Sequence, residues 1–169
     1  MIRNGYGQVE PNHLSAQRTG QIYAQLPADS NITILENGEF VKYDYAAGKV
    51  DKTGAGEWML VFNEVKLYDG YRETYKDFAL KASDAVNGVI TPRVFKTNVG
   101  DIYTTNMVEK ASVGKRQDTA LTDLAVGDSL GINNNGYLEK DASGSIQFKV
   151  VKVYTLADGQ EAVKIQRIA

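Results

Sequence analysis

The chain has 169 residues and a formal net charge of −2, with 19 Lys and Arg against 21 Asp and Glu. This balance leaves no basic excess for phosphate contacts, so we expect no nucleic-acid partner. No run approaches the roughly 20 apolar residues of a membrane span. The absence of cysteine excludes a disulfide scaffold, thiolate metal sites and thiol catalysis.

Residues 1–28 lack a sustained period, and we interpret them as an extended N-terminal arm with no apolar run for a signal peptide. The arm carries more apolar surface than a solvated tail needs. We therefore expect it to reach away from its own modules and dock on a neighbouring subunit. The residues expected at that interface are Tyr6, Gln8, Pro11, Asn12, His13, Leu14, Ile22, Tyr23 and Leu26.

Residues 29–108 are predicted to form a first β module, with two further strands within 81–108. Asn37-Gly38 lies between segments of period two, which predicts a β-hairpin with a type I′ turn. Trp58, Leu60 and Phe62 alternate on one face of an otherwise apolar run, as in a central strand of the core. The best helix candidate is the segment from Asp77 to Ala85. The main strands are predicted near 31–36, 39–45, 57–67 and 74–80.

Residues 109–122 are polar and are predicted to be a linker to a second β module at 123–169. Residues 130–140 repeat the pattern of 32–42: two apolar residues two apart, Asn-Gly, then an apolar residue and a Lys two apart. The predicted fold is therefore all-β, with two small antiparallel barrel- or sandwich-like modules and the extended arm. The second module is predicted to bury Phe148 and Val150, with strands near 129–133, 136–139, 146–155 and 161–167.

A second repeated phrase is Val-Gly-Asp, at Val99-Gly100-Asp101 and Val126-Gly127-Asp128. In each copy an Asn follows the Asp at the same offset, as Asn106 and Asn133. Gly-Asp before an apolar run predicts a turn that enters a strand, with the Asp side chain capping backbone amides.

The sequence offers no cluster of catalytic or metal-binding residues. His13 is the only histidine and would have to serve any Ser-His-Asp triad, and zinc would lack nitrogen and sulfur ligands. The segment Asn133-Asn134-Asn135-Gly136, with Glu139 and Asp141, is rich in oxygen but lacks calcium-loop spacing. No phosphate-binding glycine loop is present. We expect no enzymatic activity, no catalytic residues, no cofactor and no metal.

Two tyrosine-rich segments, Tyr43-Asp44-Tyr45 and Tyr68-Asp69-Gly70-Tyr71, could form aromatic surfaces for sugars or single strands. Single-strand binding also needs basic residues between the aromatic ones, whereas here acidic residues accompany the tyrosines. We interpret these tyrosines as strand-face residues with hydrated hydroxyl groups.

The opening residues 5–17, the run Trp58 to Val65, and the module with Val126-Gly127-Asp128 and Asn135-Gly136 resemble auxiliary head proteins of tailed double-stranded DNA bacteriophages. The last of these is similar to the small barrels of capsid decoration, or cement, proteins. The resemblance covers most of the chain.

This resemblance implies a structural protein of the virion, made in the host cytoplasm and bound to the outer capsid surface. Its partner would be the major capsid protein, and copies would form a homo-oligomer on the lattice, where many modest contacts add up. The alternative within the virion is a head-fibre base or adhesion module that binds a host surface glycan. An enzyme such as a glycan hydrolase is the third hypothesis.

Overall fold

The computed structural model describes residues 6–13, 24–63, 78–109, 124–156 and 159–169. These residues form an all-β fold, as predicted, with two single-turn 3-10 segments at Ala82–Asp84 and Val86–Gly88. The expected helix is therefore a strand followed by one such turn. The strands are β1 Val9–His13, β2 Ala24–Gln25, β3 Ile34–Glu36, β4 Phe40–Asp44, β5 Lys49–Asp51, β6 Trp58–Val61, β7 Ala79–Lys81, β8 Arg93–Phe95, β9 Ile102–Thr105, β10 Val108–Glu109, β11 Ser129–Ile132, β12 Leu138–Lys140, β13 Gln147–Thr155 and β14 Glu161–Arg167.

The described strands make three sheets. The largest has seven strands in the order β1-β9-β14-β13-β11-β12-β10, and the second has five in the order β2-β8-β6-β4-β5. The third pairs β3 with β7. Neighbouring strands are antiparallel except for β10 and β12, which run parallel.

The five-stranded sheet has apolar side chains on both faces because it separates two buried clusters. Phe40 and Leu60 point into the cluster shared with the seven-stranded sheet, where the ring centroids of Phe40 and Phe148 lie 5.9 Å apart. Their neighbours Val41 and Met59 point into the second cluster. Burial of Leu60, Phe148 and Val150 is confirmed, while Trp58 and Phe62 are partly buried against the same core.

The two Asn-Gly phrases fold differently. Asn133 N–H donates to Tyr137 O and Gly136 N–H to Asn133 O, which closes the predicted hairpin between β11 and β12. Gly38 also turns the chain with a φ of 94°, but β3 pairs with β7 and β4 pairs with β5 and β6. The hairpin predicted at Asn37-Gly38 is therefore wrong, and the repeat of 32–42 in 130–140 is not a structural repeat.

The large sheet draws strands from all parts of the sequence. β1 lies in the predicted arm and pairs with β9, while β9 pairs with β14 of the predicted second module. Residues 102–109, expected in the first module, thus belong to the sheet of the second. Residues 110–122 of the predicted linker lie outside the described residues, so the linker stays a prediction.

The Val-Gly-Asp phrases form the structural repeat of this fold. Asp101 N–H donates to Asn98 O and Asp128 N–H to Ala125 O, over 3.0 and 3.1 Å. Each Asp carboxylate accepts the amide of the first turn residue, Asn98 or Ala125, over 2.8 Å. The glycines at the third position have φ of 97° and 94°, which favours glycine there. The predicted capped strand-entry turns are confirmed.

Each turn also joins the central hairpin of β13 and β14 in the same way. Gly100 N–H donates to Arg167 O and Arg167 N–H to Asp101 O, whereas Gly127 and Asp128 make the matching pair of bonds with Val150.

The pairing of β9 with β14 and of β11 with β13 also corresponds beyond the two turns. Tyr103 then lies opposite Ile165, and Leu130 lies opposite Phe148, each two residues further on. The four strands β9-β14-β13-β11 therefore have a pseudo-two-fold axis. It passes through the pair Lys149–Gln166, which the operation maps onto itself.

Tyr103 places a hydroxyl group in the middle of this core. The residue is fully buried, and its oxygen has no hydrogen-bond partner within the described part of the chain. Burial, and then the nearby Asp101 carboxylate, raise the pKa of the phenol well above its ordinary value. The hydroxyl therefore contributes a desolvation cost with no compensating bond.

We expect Tyr103→Phe to leave the free energy of unfolding unchanged or to raise it by about 1 kcal/mol, because the variant removes an unsatisfied polar group and keeps the ring. Urea denaturation of both proteins measures this difference. A loss of more than about 1 kcal/mol would contradict this expectation, because it would reveal a hydrogen bond to the hydroxyl.

The buried phenol of Tyr103 also determines how the free energy of unfolding changes at high pH. Because the folded-state pKa is raised, stability falls as pH rises above the ordinary pKa of about 10, and Tyr103→Phe removes that contribution.

Candidate interaction surface

The first part of the predicted arm is built into its own chain. Gly7 N–H donates to the Glu36 carboxylate over 2.6 Å, and Gln8 N–H donates to Asn106 Oδ1 over 2.8 Å. Val9 is 3% exposed and belongs to the main core. The expectation that the arm reaches away from its own modules is therefore wrong for residues 6–13.

The other predicted interface residues divide into two groups. Tyr6 lies under the Lys81 ammonium, 4.7 Å from its ring centroid, and Pro11 pairs with Tyr103 of β9. Leu26 packs against the second core cluster, and Gln8 is buried. The structure thus brings the described members onto their own domain. His13 of β1 pairs with Ile102, and Asn12 lies at the register shift between Pro11 and His13. Leu14, Ile22 and Tyr23 lie outside the described residues.

Buried amides hold these segments together. Asn106 joins the arm to the hairpin, since its Nδ2 donates to Tyr6 O and to Gln160 Oε1. Asn37 exchanges hydrogen bonds with the backbone N–H and C=O of Asn63. The buried polar groups thus satisfy backbone atoms at turns and strand ends, which is a structural role.

Two carboxylates come close together at one edge of the large sheet. Glu109 and Glu139 lie opposite each other on β10 and β12, and both accept hydrogen bonds from Asn133 Nδ2. The side-chain oxygen Oδ1 of Asn133 accepts two backbone N–H groups of its own turn, from Asn135 and Tyr137. The shared amide therefore offsets the repulsion of this pair. Among the described residues no group of three His, Cys, Asp or Glu side chains could hold a metal ion.

One of the two tyrosine-rich segments presents an aromatic side chain to solvent. Tyr45 is 64% exposed, and its ring contacts Tyr43 edge to face at a centroid distance of 4.3 Å. Tyr43 is partly buried against the second core cluster, so it anchors the exposed ring. The segment from Tyr68 to Tyr71 lies outside the described residues.

The repeated turns expose apolar side chains that the sequence did not single out as a site. Val99 and Val126 occupy the same position in the two turns, and each is 68% exposed. The Ala125 amide, and then the Lys140 ammonium, lower the pKa of the Asp128 carboxyl below its ordinary value. In both turns the Asp carboxylate accepts the amide of the first turn residue while the valine faces solvent. The repeated Val-Gly-Asp phrase was the signal that could have identified them.

The outer face of the large sheet between these turns is basic. Lys149 follows the buried Phe148, so its side chain lies on the face opposite the core. Lys152 and Lys164 pair across β13 and β14 on this outer face. Glu10 lies at its edge and accepts a hydrogen bond from Tyr154.

The chain matches no protein-family model, and no curated protein or solved structure is significantly similar to it. The described part of the chain contains no helix long and apolar enough to cross a membrane.

Proposed function

We propose that the chain is a capsid decoration (cement) protein of a tailed double-stranded DNA bacteriophage, which binds the outer face of the major capsid lattice and stabilises the head. The sequence resemblance suggests this class. The observation that supports it best is a β fold presenting apolar side chains on tightly bonded turns. Val99 and Val126 are each 68% exposed. Apolar residues held at defined positions on a surface are typical of protein contacts.

Attachment on this proposal comes from the body of the protein and not from a free arm. The described arm residues are bound within the chain, because Gly7 and Gln8 donate to the side chains of Glu36 and Asn106 and β1 pairs with β9. Many copies on a lattice then stabilise the head through repeated contacts, each of modest strength. On this proposal the protein has no catalytic role.

Co-sedimentation with empty heads of the phage that encodes the chain tests the proposal. The purified protein is expected to pellet with these heads at a fixed number of copies per capsid, and to stay in the supernatant with heads of an unrelated phage. Mass spectrometry of purified virions is expected to detect the chain. A protein that stays in the supernatant with its own heads and is absent from virions would contradict the proposal.

The alternative is an adhesion module that binds a host glycan, and the exposed Tyr45 is the observation in its favour, since sugars stack on aromatic faces. Tyr45→Ala separates the two functions. This variant is expected to bind heads as the unchanged protein does, whereas an adhesion module would lose glycan binding.

A further inference from the structure

We infer that the pseudo-two-fold sheet face of β9, β14, β13 and β11 binds two identical capsid subunits at once, across a local two-fold axis of the lattice. The Val99 turn contacts one subunit and the Val126 turn contacts the other. This inference rests on the proposed function and assigns the surface and the symmetry of the partner.

The two turns are matched closely enough to recognise the same partner surface. Their internal hydrogen bonds, their glycine φ angles and their bonds to the central hairpin correspond one to one. The side chain presented is valine in both, with the same exposed fraction of 68%. A pocket that fits one turn therefore fits the other, provided that the second pocket is rotated by about 180°.

The spacing of the turns favours two subunits over one. β9 and β11 are three strand intervals apart, and the turns lie at opposite ends of these strands. At about 4.8 Å between strands and 3.3 Å per residue, the two valines are roughly 20 Å apart. Two contacts at that spacing, related by a two-fold axis, match the meeting point of two copies of one protein.

The charge of the face indicates what lies near the axis on the partner. Lys149 lies beside the pseudo-two-fold axis, opposite Gln166, and Lys152 and Lys164 are nearby on the same outer face. A complementary partner surface presents acidic side chains around its own two-fold axis. Two identical subunits supply such acids in pairs, one set from each copy.

Substitution of the two valines tests the inference. We compare Val99→Asp, Val126→Asp and the double variant with Val86→Asp, which changes a more exposed valine on a turn outside the repeat. Thermal melting first establishes that all four fold as the unchanged protein does. Binding is then measured by co-sedimentation with empty heads of the encoding phage.

Each single variant is expected to weaken binding by about tenfold and by similar factors, because the two sites are equivalent. The double variant is expected to lose detectable binding, because both contacts are then removed. Val86→Asp is expected to bind normally. Raising NaCl from 0.1 to 0.5 M is expected to weaken binding of the unchanged protein, because the lysine contacts are screened.

Several outcomes would overturn the inference while leaving the proposed function intact. These are heads that bind all variants equally, single variants that differ by more than about fivefold, or a control that loses as much as Val99→Asp. A dimer of the purified chain that both single variants abolish in sedimentation velocity would assign the face to a second copy instead. Failure of the unchanged protein to bind heads would reject the proposed function itself.

Discussion

Replacing Phe148 by alanine is expected to lower the free energy of unfolding by about 3–5 kcal/mol, which is the usual cost of emptying a fully buried phenylalanine site. Phe148 is completely buried and contacts both Phe40 and Tyr103, at centroid distances of 5.9 and 6.0 Å. Because Phe40 belongs to the other sheet, the cavity weakens the contact between the two sheets. We therefore expect the whole structure to unfold in one transition at lower denaturant.

Trp58 reports this outcome from the other sheet, because it is the only tryptophan and lies on β6. Its fluorescence and the far-UV circular dichroism are expected to change together in Phe148→Ala. Val151→Ala on the same strand is the control, since Val151 is 42% exposed and a surface change shifts stability by less than about 0.5 kcal/mol. Loss of half the dichroism with an unchanged Trp58 transition would contradict a shared core.

Deletion of residues 1–26 is expected to abolish cooperative folding. The deletion removes β1 and the buried Val9, and it leaves Asn106 without the Gln8 amide and Glu36 without the Gly7 amide. Removal of one hydrogen-bond partner from a buried polar group costs about 1–3 kcal/mol, against a total stability of about 5–15 kcal/mol. We expect an aggregated or unfolded product, detected by the loss of a melting transition.

A milder variant tests the same contact without truncation. A Cβ atom at Gly7 would lie 2.1 Å from Asn37 O and 2.6 Å from the Met107 sulfur. Gly7→Ala is therefore expected to destabilise the fold by more than 1 kcal/mol, as overpacking does. Gly144→Ala is the matched control, because the nearest atom there is 3.9 Å away. Equal melting temperatures for both variants would place the arm outside the core.

The sequence predicted the strands better than their partners. Residues 161–167 alternate apolar and polar, and β14 occupies that range, because one face of a half-buried strand is encoded locally. The pairing of β3 with β7 is not encoded in this way, since it joins residues 34 and 81 across three intervening strands of the described residues. At Asn37-Gly38 the predicted turn is therefore present, but the strands on either side of it do not pair with each other.

The prediction for the N-terminal arm was wrong for a similar reason, because its contacts are also distant in sequence. Its few apolar residues follow no period because Val9 enters the core while Gly7 and Gln8 are fixed by side chains about 30 and 100 residues away. No local pattern signals such bonds. The Val-Gly-Asp turns, by contrast, depend on Gly and Asp within four residues, and their geometry was predictable. The exposure of Val99 and Val126 was not predictable, because it depends on how the described strands and loops are arranged around these turns.

The order of strands in the large sheet also determines when, during translation, the large sheet can form. β1 pairs with β9, which follows it by roughly 90 residues. The other neighbour of β9 is β14, which follows about 55 residues later. At about 5–20 residues per second, the ribosome needs roughly 7–30 s to supply both partners. During that interval Val9 and its neighbours have no sheet to join. Folding of such a high-contact-order sheet is expected to be slow and to follow translation of β14.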